Sequence, residues 1–253
     1  MSQNKALLEQ ISMIAQACGK YAQQRRKLVA IETKHDGSLV TEIDRAVEHM
    51  LRERLTKLVP GSHFWGEETE FEPKDYETLW AVDPIDGTTN FIYGSPLWGI
   101  SIGLLRGNEV ELGVVCMPDL GVTYAACQGL GAFRNEILMD QARSGPVMNC
   151  ELVSYSDNLP LKMIGKVPGK MRYLGAWVAE AAQVFEGCFR GAVSTKASLY
   201  DLAGSICIAR ELGMEVIYVD GEMVDLPMLV GKSGTPKPIL FFPKGHGFRI
   251  DLD

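Results

Sequence analysis

The stretch Trp80-Ala81-Val82-Asp83-Pro84-Ile85-Asp86-Gly87-Thr88-Thr89-Asn90-Phe91 restricts the fold of this chain more than any other. An apolar run of strand type ends in two aspartates three residues apart, with a proline between them, followed by glycine and two threonines. Proline excludes a helix interior here. The two carboxylates therefore leave a strand on a turn, where both can converge on one point. Oxygen donors gathered in this way suit a hard divalent cation such as Mg²⁺, and the Ile85 carbonyl is a further donor on the same turn. The same residue types also make an ordinary turn after a strand, so this segment alone leaves both readings open.

The periodicity of the flanking sequence predicts what holds that turn. Leu7, Ile11, Ile14, Cys18 and Tyr21 recur at steps of three and four, the spacing of an amphipathic helix. A second helix follows Thr41, with Ile43, Val47, Met50, Leu51, Leu55 and Leu58 on its apolar face, and Pro60-Gly61 stops it. Strands are then predicted over 79–82, 99–105, 110–115, 122–126 and 131–133, which makes two helices on a largely antiparallel sheet. The polar stretch 141–149, containing Gly145-Pro146, reads as a linker. Beyond it come predicted helices over 176–187 and 201–212 and strands over 216–219 and 239–242. The reading is an α+β half, 1–142, carrying most of the candidate ligands, and an α/β half, 143–253, with a cleft between them.

The net charge of −7 argues against a nucleic-acid backbone as partner, which requires clustered cations. It does not exclude a phosphate substrate, because bound cations invert the local charge. The N-terminal stretch lacks a signal-peptide pattern, and no apolar run is long enough to span a bilayer. The six cysteines and four histidines are scattered, without metal-ligand spacing. A cytoplasmic protein with reduced thiols, no membrane partner and no zinc site is expected.

Three further segments carry carboxylates. Gly66-Glu67-Glu68-Thr69 follows Phe64-Trp65 and is a solvated loop or a ligand turn. Thr41 and Asp44, and again Ser198 and Asp201, have the spacing of a helix-capping pair, so each aspartate has a local structural role available. In Asp201-Leu202-Ala203-Gly204-Ser205 the small residues also permit close helix packing.

Together these stretches resemble the inositol monophosphatase family, within the wider superfamily of lithium-sensitive, metal-dependent phosphatases. The matching motifs are Lys34 to Asp44, Gly66-Glu67-Glu68, Asp83 to Phe91, and Tyr200 to Ser205, in the family's order and spanning about two-thirds of the chain. The resemblance implies a mixed α+β and α/β fold, a layered α-β-α-β-α sandwich of the inositol monophosphatase and fructose bisphosphatase type. It implies two to three Mg²⁺ ions: Glu67, Asp83 and the Ile85 carbonyl at one, Asp83, Asp86 and Asp201 at a second, and Glu67 through water at a looser third. Asp44, Glu67 and Thr88 take catalytic roles, Thr88 and Asp44 orienting and deprotonating the attacking water. Asp86, Gly87, Thr88, Gly175, Ala176, Ser194 and Asp201 fall at substrate-binding positions. A homodimer acting on a small phosphorylated metabolite is the implied assembly.

The chain departs from the family pattern in its second half. Tyr200 replaces the usual Trp before Asp201, and Ser205 stands where Gly or Ala is commoner. Ser194 occupies the place of an acid that binds substrate hydroxyls in inositol-specific members, and Tyr173 to Trp177 replaces a turn of small residues. A serine lacks the two-oxygen acceptor of a carboxylate, which argues against strict inositol specificity. The leading expectation is a phosphomonoesterase of inositol-phosphate-like or broader sugar-phosphate substrates. Histidinol-phosphate phosphatase is a second enzyme reading, and a catalytically silent metal-binding regulator on the same fold is the alternative of another class.

Overall fold

A computed structural model describes residues 3–28, 31–33, 39–69, 76–156 and 169–247. The chain opens with α1 (Gln3–Arg25) and a two-stranded hairpin, β1 (Ile31–Thr33) with β2 (Leu39–Thr41), and continues into α2 (Glu42–Leu58). A seven-stranded sheet then forms in chain order from β3 (His63–Gly66), β4 (Thr78–Asp86), β5 (Gly99–Arg106), β6 (Glu109–Met117), β7 (Val122–Cys127), β8 (Gly131–Arg134) and β9 (Ile137–Leu138). Every neighbouring pair is antiparallel except β3 with β4. The short helix α3 (Thr88–Ile92) follows β4 directly.

The alternation along β4 shows how the layers are built. Trp80 and Val82 pack with Ile11, Val47, Leu51 and Leu55 of α1 and α2, while Leu79 and Ala81 join the cluster on the opposite face. A strand covered on both faces reads as a continuous apolar run, which is why 79–82 carries no polar positions. The opposite face is covered by α4 (Trp177–Phe185) and α5 (Leu199–Glu211). Beyond them lies a second sheet in the order β11 (Lys170–Arg172), β10 (Leu152–Ser156), β12 (Gly191–Ser194), β14 (Ile239–Pro243), β13 (Met214–Tyr218). A single-turn helix, α6 (Leu226–Leu229), closes the inner cluster. The layers run helix, sheet, helix, sheet, as the sandwich reading predicts. Val153, Tyr155, Val193, Leu240 and Phe242 form a separate cluster on the outer face of the second sheet. The fifth, helical layer expected on that face is not among the elements of the described residues.

The small residues after Asp201 gain a physical reason here. Gly103 of β5 and Gly113 of β6 are register partners. A Cβ built on Gly103 would collide with Ala203, and one on Gly113 with the Gly204 carbonyl. Four positions without bulk let α5 lie almost directly on the sheet, and the Ser101 hydroxyl donates to the Asp201 carbonyl over 2.9 Å. That contact brings the start of α5 to the end of β4. The helices and strands predicted from periodicity are present, with ends shifted by a few residues. Strands β1 to β3 and β9 to β12, and the short helices α3 and α6, were not predicted, because runs of two to five residues are too short to establish a period. Lys34 to Ser38 of the upstream motif lie outside the described residues.

Candidate active site

The aspartate turn is a bulge at the end of a buried strand. β4 pairs with β5 in register up to Asp83 opposite Ser101, and pairing resumes at Asp86 opposite Gly99, with the register shifted in between. One extra residue on β4 bends the strand and turns both carboxylates out of the sheet. The Ile85 amide donates back to Asp83 Oδ1 over 2.9 Å. Gly87 then takes φ +84° as the N-cap of α3. A Cβ there would lie 2.6 Å from the Cβ of Ala176, so conformation and close approach both demand glycine.

Asp44 reaches the same point from α2. The Thr41 amide donates to Asp44 Oδ2 over 2.9 Å, and the Thr41 hydroxyl donates to the same oxygen. The capping box predicted from the sequence is therefore formed. The other oxygen, Oδ1, faces the Thr88 hydroxyl at 3.1 Å, and that hydroxyl also lies 3.0 Å from the Ile85 carbonyl. Asp44 is fully buried, and burial raises its pKa above the ordinary carboxylate value, against the hydrogen bonds from Thr41 and Thr88.

Asp201 follows the same rule. It closes a capping box with Ser198, whose amide donates to Asp201 Oδ2 over 2.6 Å. Glu67 arrives on the turn after β3, its amide bonded to the Val82 carbonyl over 3.2 Å. Glu67, Asp83 and Asp201 each offer a carboxylate oxygen, and all three oxygens lie within 4.8 Å of one another. Burial first, then the charge of Glu67 and of the neighbouring aspartates, pushes Asp83 and Asp201 well above the ordinary carboxylate range. Burial drives Asp86 up to about 7, opposed by the Val178 and Trp177 amides at the start of α4. An all-oxygen set of crowded carboxylates, Asp83 buried and the others half-buried, fits a hard divalent cation, which supplies the missing opposite charge.

These groups line a cleft of about 330 Å³ between the two sheets' helical layer and the end of β4. Ile85, Gly87, Thr88, Tyr173, Gly175, Ala176, Glu180, Lys196 and Tyr200 complete its walls. A larger hollow of about 600 Å³ lies near β9 and the end of α4. Its Arg134 is paired with Glu186 at 2.6 Å and its Arg143 with Glu151, and it gathers no carboxylate cluster beside a hydroxyl.

Residues 3–237 match the model of the inositol monophosphatase family. The chain belongs to that family. It is 34% identical over 188 residues to the fructose-1,6-bisphosphatase/inositol-1-monophosphatase of Thermotoga maritima, covering 73% of each chain. It is also 34% identical over 203 residues to the histidinol-phosphatase of Mycobacterium tuberculosis, covering 76% of this chain and 78% of that one. Among solved structures, the Thermotoga maritima IMPase superimposes with a TM-score of 0.78 at 28% identity, covering 91% of this chain and 89% of the other. The chain is accordingly a phosphatase that hydrolyses phosphate monoesters.

Of the residues singled out from the sequence of this family member, Glu67, Asp83, Ile85, Asp86, Gly87, Thr88, Gly175, Ala176 and Asp201 line one cleft, and Asp44 stands behind Thr88. Ser194 does not join them. It is the fully buried last residue of β12, paired in register with Ile239, and the chain enters the cleft only two residues later. Ser194, expected at a substrate-binding position, therefore stands outside the lining of the cleft.

Three supporting residues were not singled out. Asn90 Nδ2 donates to the carbonyls of Leu97 and Leu174, at 2.7 and 2.8 Å, tying the aspartate turn to the Gly175 turn. Glu180 accepts from the Leu174 amide at 3.1 Å. Glu48, buried on α2, accepts from the Glu68 amide at 2.8 Å and from the Thr69 hydroxyl, and so holds the turn that carries Glu67. An acid at 48, between Val47 and Leu51 on an otherwise apolar face, was the available signal. Glu48→Ala is expected to lower phosphatase activity about 10- to 100-fold by releasing that turn. Glu48→Gln should retain more, since its amide oxygen still accepts from Glu68. Activity of the two variants, with melting curves to confirm folding, checks this order.

Proposed function

We propose that this phosphatase is Mg²⁺-dependent and releases phosphate from a small phosphorylated metabolite of the inositol-phosphate or sugar-phosphate kind by direct attack of water. In this reading Glu67, Asp83 and the Ile85 carbonyl would hold one ion, Asp83, Asp86 and Asp201 would hold a second, and Glu67 would also serve a looser third. Bound Mg²⁺ supplies Lewis-acid charge that offsets the phosphate dianion and acidifies water at the site.

The observation that carries the proposal is the Thr88 hydroxyl placed between Asp44 Oδ1 and the Ile85 carbonyl, beside the three-carboxylate cluster. A water lodged against Thr88 gives its proton to Oγ as Oγ passes its own to Asp44 Oδ1. Burial favours the protonated form of Asp44, which makes it a stronger base than a surface carboxylate. The new P–O bond forms as the ester P–O bond breaks on the opposite face, and the leaving alkoxide takes a proton from solvent. The amides of Gly87 and Thr88 bind phosphate oxygens, and Gly175 and Ala176 border the alcohol half. Hydrolysis of histidinol phosphate is a second reading, supported by the similarity to a histidinol-phosphatase. A homodimer belongs to the same reading and rests on the family resemblance. Among the described residues no helix is long and apolar enough to cross a membrane.

Phosphate release from inositol 1-phosphate, histidinol phosphate, fructose 1,6-bisphosphate and 3′-phosphoadenosine 5′-phosphate tests this, with Mg²⁺ or with EDTA. Turnover that EDTA abolishes, and that Thr88→Ala lowers by about 10²–10⁴-fold, is expected. Release that survives EDTA, or that Thr88→Ala leaves unchanged, rejects the mechanism.

A further inference from the structure

Five carboxylates line the cleft, those of Glu67, Asp83, Asp86, Glu180 and Asp201. Among the described residues one cation faces them, Lys196. It is exposed, and it makes no hydrogen bond or ion pair in the described structure, with those acids or any other group. Its backbone is nonetheless fixed. The Gly234 amide donates to the Ser198 hydroxyl over 2.9 Å, and the Ser198 amide donates to Asp201 Oδ2 over 2.6 Å. Gly234, at φ +77°, sits so close that an added Cβ would lie 2.9 Å from the Lys196 carbonyl. The ammonium therefore swings on a short, anchored segment between β12 and α5, five residues before Asp201.

This position matters because Ser194, the residue expected to meet the alcohol half of the substrate, is enclosed in the sheet. The first side chain after it to line the cleft is Lys196. With the carboxylates at the closed end engaged by divalent cations, Lys196 is left as an uncommitted positive charge at the mouth. An ammonium offers three donors and no acceptor. It rewards an anionic oxygen, gives a neutral polyol little, and repels an alcohol that carries an amine.

We propose that Lys196 determines specificity, selecting phosphate monoesters whose alcohol half carries a second anionic group, a carboxylate or another phosphate. This deepens the phosphatase reading of the same cleft and rests on it.

Two matched pairs test the proposal: 2-phosphoglycerate against glycerol 2-phosphate, and fructose 1,6-bisphosphate against fructose 1-phosphate. Each pair keeps the ester and changes the remote group, and comparing the pairs separates carboxylate from phosphate recognition. With Mg²⁺, the parent protein is expected to favour the doubly anionic member by about tenfold in kcat/KM, the scale of one charge-assisted hydrogen bond. Lys196→Ala should remove the preference through KM with kcat unchanged, Lys196→Arg should keep most of it, and added salt should compress it. An equal KM increase for both members of a pair, or no preference in the parent, overturns the proposal. Calorimetric binding of the same esters to Thr88→Ala, where turnover is strongly slowed, separates the two readings. Preference in binding without turnover in the parent upholds the subsite and rejects the catalytic reading. Turnover without preference does the reverse.

Discussion

Asp83→Asn is expected to abolish phosphate release, by at least about 10³-fold, while making the metal-free protein more stable. The two effects have one origin. Asp83 is almost completely enclosed, at 2% exposure, and burial together with the charges of Glu67, Asp86 and Asp201 disfavours its ionised form. Asparagine keeps the volume and the acceptor for the Ile85 amide, now 2.9 Å from Asp83 Oδ1, but has no carboxyl to desolvate or to protonate on folding. Without divalent cations that removes a cost of folding and raises the melting temperature. With them, the variant lacks the one carboxylate common to both proposed ligand sets, and a loss larger than that for an outer supporting residue follows. Ligand linkage adds a third readout. An ion present at about 100 times its Kd stabilises a protein by roughly 2.7 kcal/mol, so Mg²⁺ should raise the melting temperature of the parent and hardly move that of the variant. Activity within tenfold of the parent, or an unchanged Mg²⁺ response, would show that Asp83 is not at the metal site.

Glu180→Gln is expected to flatten the pH dependence of stability on the alkaline side. Glu180 is fully buried, and burial pushes its pKa from 4.5 to about 8, with the Asp86 charge adding and the Leu174 amide opposing. The folded protein therefore holds a proton that the unfolded chain releases near pH 4.5. The stability this gives is fully present below about 4.5 and is lost as the pH rises through about 8. The total is on the order of 5 kcal/mol, because each tenfold difference in proton affinity between the folded and unfolded chains is worth about 1.36 kcal/mol. Glutamine keeps an acceptor for the Leu174 amide and does not titrate. Melting curves of parent and variant in EDTA should nearly coincide at pH 5 and separate by roughly 10 °C at pH 9. The difference between the two proteins isolates Glu180 from the carboxylates both share, and parallel curves across that range would remove Glu180 as the titrating group.

The capping motifs show how far local sequence reaches. Thr41 with Asp44, and Ser198 with Asp201, admit either a helix cap or a place in the site, and the folded chain uses each aspartate for both. A carboxylate has two oxygens: Asp44 gives Oδ2 to Thr41 and presents Oδ1 to Thr88. Asp201 gives Oδ2 to Ser198 and contributes a carboxylate oxygen to the cluster with Glu67 and Asp83. No choice between the readings was available from spacing, because spacing describes one oxygen's partner and the fold supplies the other's.

The sequence by itself determined the elements and the aspartate turn. Helical periodicity over α1 and α2, the unbroken apolar run of β4, the Pro-Gly punctuation and the Asp83 to Phe91 motif are all properties of neighbours along the chain. Tertiary structure alone decided which side chains share the cleft. Glu48 supports Glu67 only because β3 lies parallel to β4 and carries its turn back to α2. Glu180 is buried because α4 is pressed between two sheets, and α5 reaches β4 because Gly103 and Gly113 are register partners across two strands. Ser194 is lost to the cleft, and Lys196 gained, through the register of β12 against β14 and the length of the segment that follows. Each of these contacts joins residues far apart in sequence. Their relative placement is fixed by strand register and layer packing, and a local pattern carries no record of either.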